Sequence, residues 1–142
     1  MTRTPDRPAA PGLRIRIVFG AAGLMGPGKA ELLERIAGTG SIAAAGRAMG
    51  MSYKRAWMLV ETLNAMFDRP VVTSTRGGRG RGGAALTERG REVLAEYRAV
   101  EAAARDGAAA HVARLRGWLR EGPQPAPGPG PGPEPGPGRA ED

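Results

Sequence analysis

Residues 13–19, LRIRIVF, alternate in polarity: Leu13, Ile15, Ile17 and Phe19 fall on one side, Arg14, Arg16 and Val18 on the other. A period of two is that of a half-buried strand, so a strand is predicted here. The glycine-rich stretch from Gly20 to Gly28 reads as a flexible connection. Pro27 suits a helix start, where its missing N–H has no partner to lose. Leu32, Leu33, Ile36 and Ala37 then place an apolar stripe on a helix predicted to end at Gly38.

The next stretch, GSIAAAGRAMGMSYKRAWMLVETLNAMF, is the most informative. Ser41 is placed to cap a helix, because its hydroxyl can accept from the exposed amides of a first turn. Ile42, Ala45, Gly46 and Met49 follow at i, i+3, i+4 and i+7, a face made mostly of small residues. Gly50 can take the left-handed conformation that ends such a helix. Ser52 caps a second helix, on which Ala56, Leu59, Val60, Leu63 and Phe67 line one face. Lys54, Met58, Glu61 and Ala65 look the other way. A short helix, a tight glycine turn and a second Ser-capped helix form a helix-turn-helix, and the small residues let the two axes approach closely.

Beyond Pro70, Val71–Thr75 and Ala84–Leu86 read as two short strands joined by a Gly/Arg loop. Thr87 caps a long helix along which Val93, Tyr97, Val100 and Ala104 recur. Gly107 is predicted to break it, and Ala108, Val112, Leu115 and Leu119 resume the rhythm in a short helix over 106–121. Residues 1–12 and 122–142 lack the apolar side chains that offset backbone ordering entropy, so an arm and a Pro/Gly tail without fixed structure are expected. The tail alternates Pro and Gly with a period of two, whereas collagen needs glycine at every third position. Residues 13–121 remain to build one modest core.

Charge narrows the partners. The 142 residues carry 21 Lys and Arg against 14 Asp and Glu, a net +7 and a pI near 11.1. Such a balance favours polyanions, nucleic acid before an anionic membrane surface. Residues 41–87 hold Arg47, Lys54, Arg55, Arg69, Arg76, Arg79 and Arg81 against only Glu61 and Asp68, which is most of that excess. The stretch SYKR combines a hydroxyl, an aromatic and two cations at a helix N-terminus, the end that enters the major groove in helix-turn-helix proteins. Tyr53 and Trp57 fit core packing equally well, and Trp57 fits both roles.

Other chemistry is weakly supported. Gly23-x-x-x-x-Gly28-Lys29 approaches a phosphate-binding loop, but Ala30 stands where Mg²⁺ needs a Ser or Thr hydroxyl. The preceding strand alternates with arginines instead of running continuously apolar, and no later strand supplies the metal-binding Asp. The glycines then serve to turn the chain, and Lys29 is read as a surface charge or a phosphate contact. The chain has no cysteine and one histidine, His111, on the apolar rhythm of the last helix, where packing or an interface is expected. No Ser/His/Asp set or metal-ligating cluster is evident, so no catalytic residue, metal or cofactor is expected. No apolar leader or membrane-length stretch appears, which makes a cytoplasmic location the expectation.

RGGRGRGG, residues 76–83, supports three readings: a plain hairpin loop, a wing whose arginines reach phosphates or a narrow minor groove, or an RGG-like segment for single-stranded RNA. Flanking strands and the adjacent helix-turn-helix favour the wing.

GPGKAELLERIAGTGSIAAAGRAMGMSYKRAWMLVETLNAMF, the Gly/Arg hairpin and LTERGREVLAEYRAVE together resemble the N-terminal winged helix-turn-helix domain of the ModE family. These are bacterial molybdenum-responsive transcriptional regulators, LysR-like in their DNA-binding domains, and the likeness spans residues 13–105. It implies a mainly α fold with a small antiparallel β wing and a long C-terminal dimerisation helix. It implies a recognition helix beginning at Ser52–Arg55, a wing at Arg76–Arg81, and a dimer made by the first and last helices. Family members append molybdate-binding domains after the last helix. Here the corresponding chain is the Pro/Gly tail, so a stand-alone DNA-binding form is expected and molybdate is not.

The expectation is therefore a dimeric, sequence-specific regulator of double-stranded DNA that is not an enzyme and does not engage a membrane. Its DNA contacts are expected from Ser52, Tyr53, Lys54, Arg55, Met58, Arg76, Arg79 and Arg81. Its subunit contacts are expected from Leu33, Val93, Tyr97, Val100 and Leu115. RNA or single-strand binding through the Arg/Gly loop, and duplex binding without sequence preference, remain as alternatives.

Overall fold

The computed structural model describes residues 12–75 and 83–120. The N-terminal arm, the wing arginines Arg76, Arg79 and Arg81, and the Pro/Gly tail lie outside the described residues.

Only the middle of the alternating stretch is a strand. Ile17–Val18 (β1) pairs antiparallel with Leu24–Met25 (β2), Ile17 opposite Met25 and Val18 opposite Leu24. Ile15 and Ile17 are half-buried, whereas Leu13 and Phe19 at the ends are exposed. β2 falls inside the stretch read as a flexible connection. A single 3-10 turn, Gly20–Ala22, reverses the chain, and Phe19 N donates to Gly23 O at 2.8 Å to close it. Gly20 and Gly23 supply the positive φ values of 73° and 123° that the reversal requires.

Helix α1, Pro27–Thr39, starts on Pro27 as expected but runs past Gly38. The left-handed cap is Gly40 instead, at φ 74°, and its N–H donates to Ile36 O. An interior glycine costs roughly 1 kcal/mol relative to alanine, too little to end a helix whose next turn is well capped. Ala30, Leu32, Leu33 and Ile36 are the buried stripe, and Ala37 is exposed.

Helix α2, Ile42–Ala48, and helix α3, Tyr53–Met66, begin on the two predicted serine caps. Ser41 Oγ accepts from Ala44 N at 3.0 Å and Ser52 Oγ from Arg55 N at 3.1 Å. Gly50, at φ 75°, turns the chain between them. A Cβ on Gly46 would stand 2.8 Å from the Cβ of Ala56, closer than real Cβ atoms come, so the two axes meet where only a glycine fits.

Val72–Thr75 (β3) and Gly83–Leu86 (β4) form an antiparallel hairpin, from Val72 opposite Leu86 to Thr75 opposite Gly83. Thr87 Oγ1 then accepts from Gly90 N at 2.9 Å and caps α4, Glu88–Gly117. This helix passes through Gly107 without the expected break. Gly107 lies among helix-favouring alanines with nothing near it and no proline following, so its intrinsic cost is tolerated.

The chain divides after Gly107 into two units. The core of the first gathers Leu32, Leu33 and Ile36 from α1, Ala45 from α2, Val60 and Leu63 from α3, Val71 before the hairpin, and Tyr97 from α4. Each large aliphatic side chain buried there contributes about 1.5–3 kcal/mol by leaving water. Tyr97 also donates its phenolic hydrogen to Ile15 O at 2.6 Å, tying α4 to the β1 approach. In the second unit Leu115, Trp118, Leu119 and His111 are exposed, so His111 is not packed as its place on the apolar rhythm suggested. The architecture is mainly helical with a small β hairpin, a winged helix-turn-helix.

Candidate nucleic-acid interface

The exposed end of α3 is built by its cap. Ser52 spends its hydroxyl oxygen on Arg55 N, which fixes the first turn and sets the directions of the next side chains. Ala56, Val60 and Leu63 anchor the opposite face in the core. Tyr53, Lys54, Arg55 and Met58 are consequently thrown outward, with Tyr53 57% and Met58 54% exposed. Tyr53 is thus not a core residue. Trp57 is half-buried, and the Tyr53 ring meets it edge-on at 6.2 Å with an interplanar angle of 85°, which bridges the core and the exposed end.

Charge at this end is uncompensated. Among the described residues Arg47, Lys54 and Arg55 have no ion-pair partner. Four other arginines are paired. Arg35 binds Glu31, Arg98 bridges Glu34 and Glu101, and Arg89 joins Asp68 to Glu92. Arg69, counted above with the basic stretch, stands 3.9 Å from Asp68 and is partly neutralised. The hydrogen bond from Arg89 holds the Asp68 carboxyl below the usual range, and the bonds that Arg98 donates to Glu34 and Glu101 hold its own pKa above the usual value. Three cations without an ion-pair partner among the described residues thus stand on α2 and the start of α3, next to the hydroxyl and aromatic of the same turn. Anions are stabilised at such a helix terminus.

Lys29 does not belong to this surface. Its Nζ donates to Leu24 O at 2.9 Å, and desolvation followed by the nearby Arg16 lowers its pKa. The GPGK stretch folds its lysine back to pin β2, which corrects the reading of Lys29 as an open surface charge.

The predicted subunit contacts divide. Leu33 is fully buried in the core, and Tyr97, 3% exposed, packs in the core while also lining the groove described next. Helical periodicity marks an apolar face without telling core from interface. Val93 is half-buried and Val100 39% exposed, and both line an open groove of about 570 Å³ with Ile17, Phe19 and Phe67, to which Asp68, Arg89, Glu92 and Glu96 also contribute. Leu115 is 60% exposed. Among the described residues no group of three His, Cys, Asp or Glu side chains is placed to hold a metal, and no helix is long and apolar enough to cross a membrane.

Sequence reasoning missed Asn64. Its amide accepts from Val71 N and Val72 N and donates to Val72 O, which joins α3 to β3. The only signal was a polar residue between apolar Leu63 and Met66.

Residues 28–91 match the family described as bacterial regulatory helix-turn-helix protein, lysR family. The match opens at the start of α1 and ends in the first turn of α4, so it encloses both serine-capped helices and the hairpin. The segment is similar to the helix-turn-helix domains of that family. Similar proteins include the molybdenum-pterin-binding protein MopB of Rhodobacter capsulatus, 47% identical over 55% of this chain and 29% of the relative. The molybdenum transport protein ModE of Azotobacter vinelandii is 44% identical over 50% of this chain and 26% of its own length. The DNA-binding transcriptional dual regulator ModE of Escherichia coli is 37% identical over 50% of this chain and 27% of its own. The chain spans under a third of the length of these curated relatives. The ModE-like likeness thus concerns the helix-turn-helix and its hairpin.

Proposed function

We propose that this protein is a transcriptional regulator that binds double-stranded DNA in a sequence-specific manner as a homodimer. The observation that carries the reading is the exposed, uncompensated Tyr53–Lys54–Arg55 turn on a helix anchored by Ala56, Val60 and Leu63, within a ModE-like domain. Lys54 and Arg55 read base edges in the major groove, where Arg and Lys pair with guanine O6 and N7. Met58 supplies an apolar contact. Arg76, Arg79 and Arg81, on the loop that joins β3 to β4, hold the phosphate backbone.

The apolar groove along Val93 and Val100 supports a second copy as its cover, and Leu115 extends the subunit contacts. A two-fold pair of recognition helices calls for a palindromic operator with half-sites about 10 bp apart or a multiple of that. The reading places the protein with the DNA it binds, in the cytoplasm.

Selection of bound fragments from sheared genomic DNA, followed by competition binding on the selected duplex, tests the proposal. A palindromic site that outcompetes random duplex at moderate salt is expected, with the complex sedimenting as two chains per site. Equal affinity for all duplexes would reduce the protein to a non-specific coating module. Preference for single strands that vanishes on deleting residues 77–83 would move it to RNA or single-strand binding.

A further inference from the structure

The hairpin root is held from several sides, and one of these contacts ties it to the recognition helix. Ala84 N donates to Gly40 O at 2.9 Å, which fixes β4 to the turn after α1. Thr87 N donates to Val71 O at 3.0 Å and Thr87 Oγ1 to Pro70 O at 2.7 Å, which fixes the entry to β3 beside α4. None of these reaches α3. Among the described residues, the hydrogen bonds between α3 and the hairpin come from Asn64, whose Oδ1 accepts from Val71 N at 2.7 Å and Val72 N at 3.0 Å, and whose Nδ2 donates to Val72 O at 3.2 Å.

We propose that Asn64 is a positioning residue for duplex binding, locking the root of the β3–β4 hairpin to the recognition helix so that loop arginines and helix residues engage one duplex together. The inference rests on the reading of the hairpin as a wing. Asn64 stands ten residues beyond Lys54, about 15 Å along the helix axis. Residues 76–82 follow β3 directly in the chain, so a small rotation at the root changes the direction in which β3 and β4 carry them relative to the helix. A clamp that fixes their relation beforehand removes an ordering cost from binding. An amide suits the place because it satisfies two donors and one acceptor at once, which neither a carboxylate nor an aliphatic side chain does.

The test is a double-mutant cycle in the full chain, read as the slope of log affinity against log KCl on the selected duplex. In the native protein Arg79→Ala should lower that slope by about one, the signature of one lost phosphate contact. In an Asn64→Ala background the same change should lower it by markedly less, because the loop no longer meets the backbone in register. A full drop of about one in both backgrounds overturns the positioning role and leaves the wing standing. An unchanged native slope after Arg79→Ala overturns the wing reading itself, and the positioning role with it. Should Asn64→Ala fail to fold, Asn64→Asp retains the two accepted bonds and loses the donated one. An Arg79→Ala effect smaller than native is expected there too, and an undiminished one is equally fatal.

Discussion

Gly90 on α4 lies so close to Val71 that a Cβ added to it would stand 2.0 Å from the Val71 carbonyl oxygen. The obstacle is backbone, and that same carbonyl already accepts from Thr87 N, so neither side has room to yield. Gly90→Ala should therefore lower stability by on the order of 3 kcal/mol, at the upper end of overpacking costs. For a domain of this size that is a fall in Tm of roughly 12–24 °C, readable by circular dichroism. An unchanged Tm would mean that α4 does not seat against the hairpin root as described.

The cap of α3 is a separate target. Ser52→Ala removes the bond to Arg55 N and should cost about 1 kcal/mol. Ser52→Asn, which keeps an oxygen at the same place, should restore most of it. Urea denaturation of the three proteins distinguishes these outcomes. Duplex affinity should follow the same order, because the cap fixes the turn that carries Lys54 and Arg55.

Arg55→Ala should behave in the opposite way. The side chain is exposed and has no ion-pair partner among the described residues, so stability should stay within about 0.5 kcal/mol of native. Discrimination between the selected operator and a scrambled duplex should drop by about 1–3 kcal/mol. Competition anisotropy measures it. Loss of affinity on both duplexes alike would make Arg55 a phosphate contact instead.

Asp68 gives a pH dependence with a definite sign. Its carboxyl is held below the ordinary value of 3.8, first by the hydrogen bond from Arg89. A carboxylate with a depressed folded pKa stabilises the protein above its unfolded pKa, and the benefit disappears as the pH falls through the folded value. Asp68→Asn should accordingly have a lower Tm than native near neutral pH, by a small margin because Asp68 is exposed. The two Tm values should converge in acid, as the pH falls through the lowered folded value. A gap that persists in acid would place the effect in something other than the Arg89 pairing.

Which features could be read from the chain follows from how local their causes are. Ser41, Gly50 and Ser52 act within one turn of themselves, and each caps or turns the chain where its chemistry predicts. The hairpin was legible because Val71–Thr75 and Ala84–Leu86 flank glycines. Gly38 and Gly107 misled, because a glycine ends a helix only where the following chain competes for its carbonyls; Gly40 does so and Gly107 has no such successor. β2 was invisible, since two residues carry no period. Within the candidate site, the exposed residues of α3 followed from periodicity. Leu33 and Tyr97 did not, because an apolar side chain packs equally well inside one protomer or between two. Asn64 was missed since its three partners lie seven and eight positions away, across a turn that sequence alone does not fold.

The contact of Gly46 with Ala56 has a practical corollary. With no slack between those backbones, the paired helices move as one piece, and their mutual angle is indifferent to what is grafted onto the outward positions 53, 54, 55 and 58. A library randomised at those four sites should yield intact proteins with altered target preferences, each inheriting the same rigid chassis.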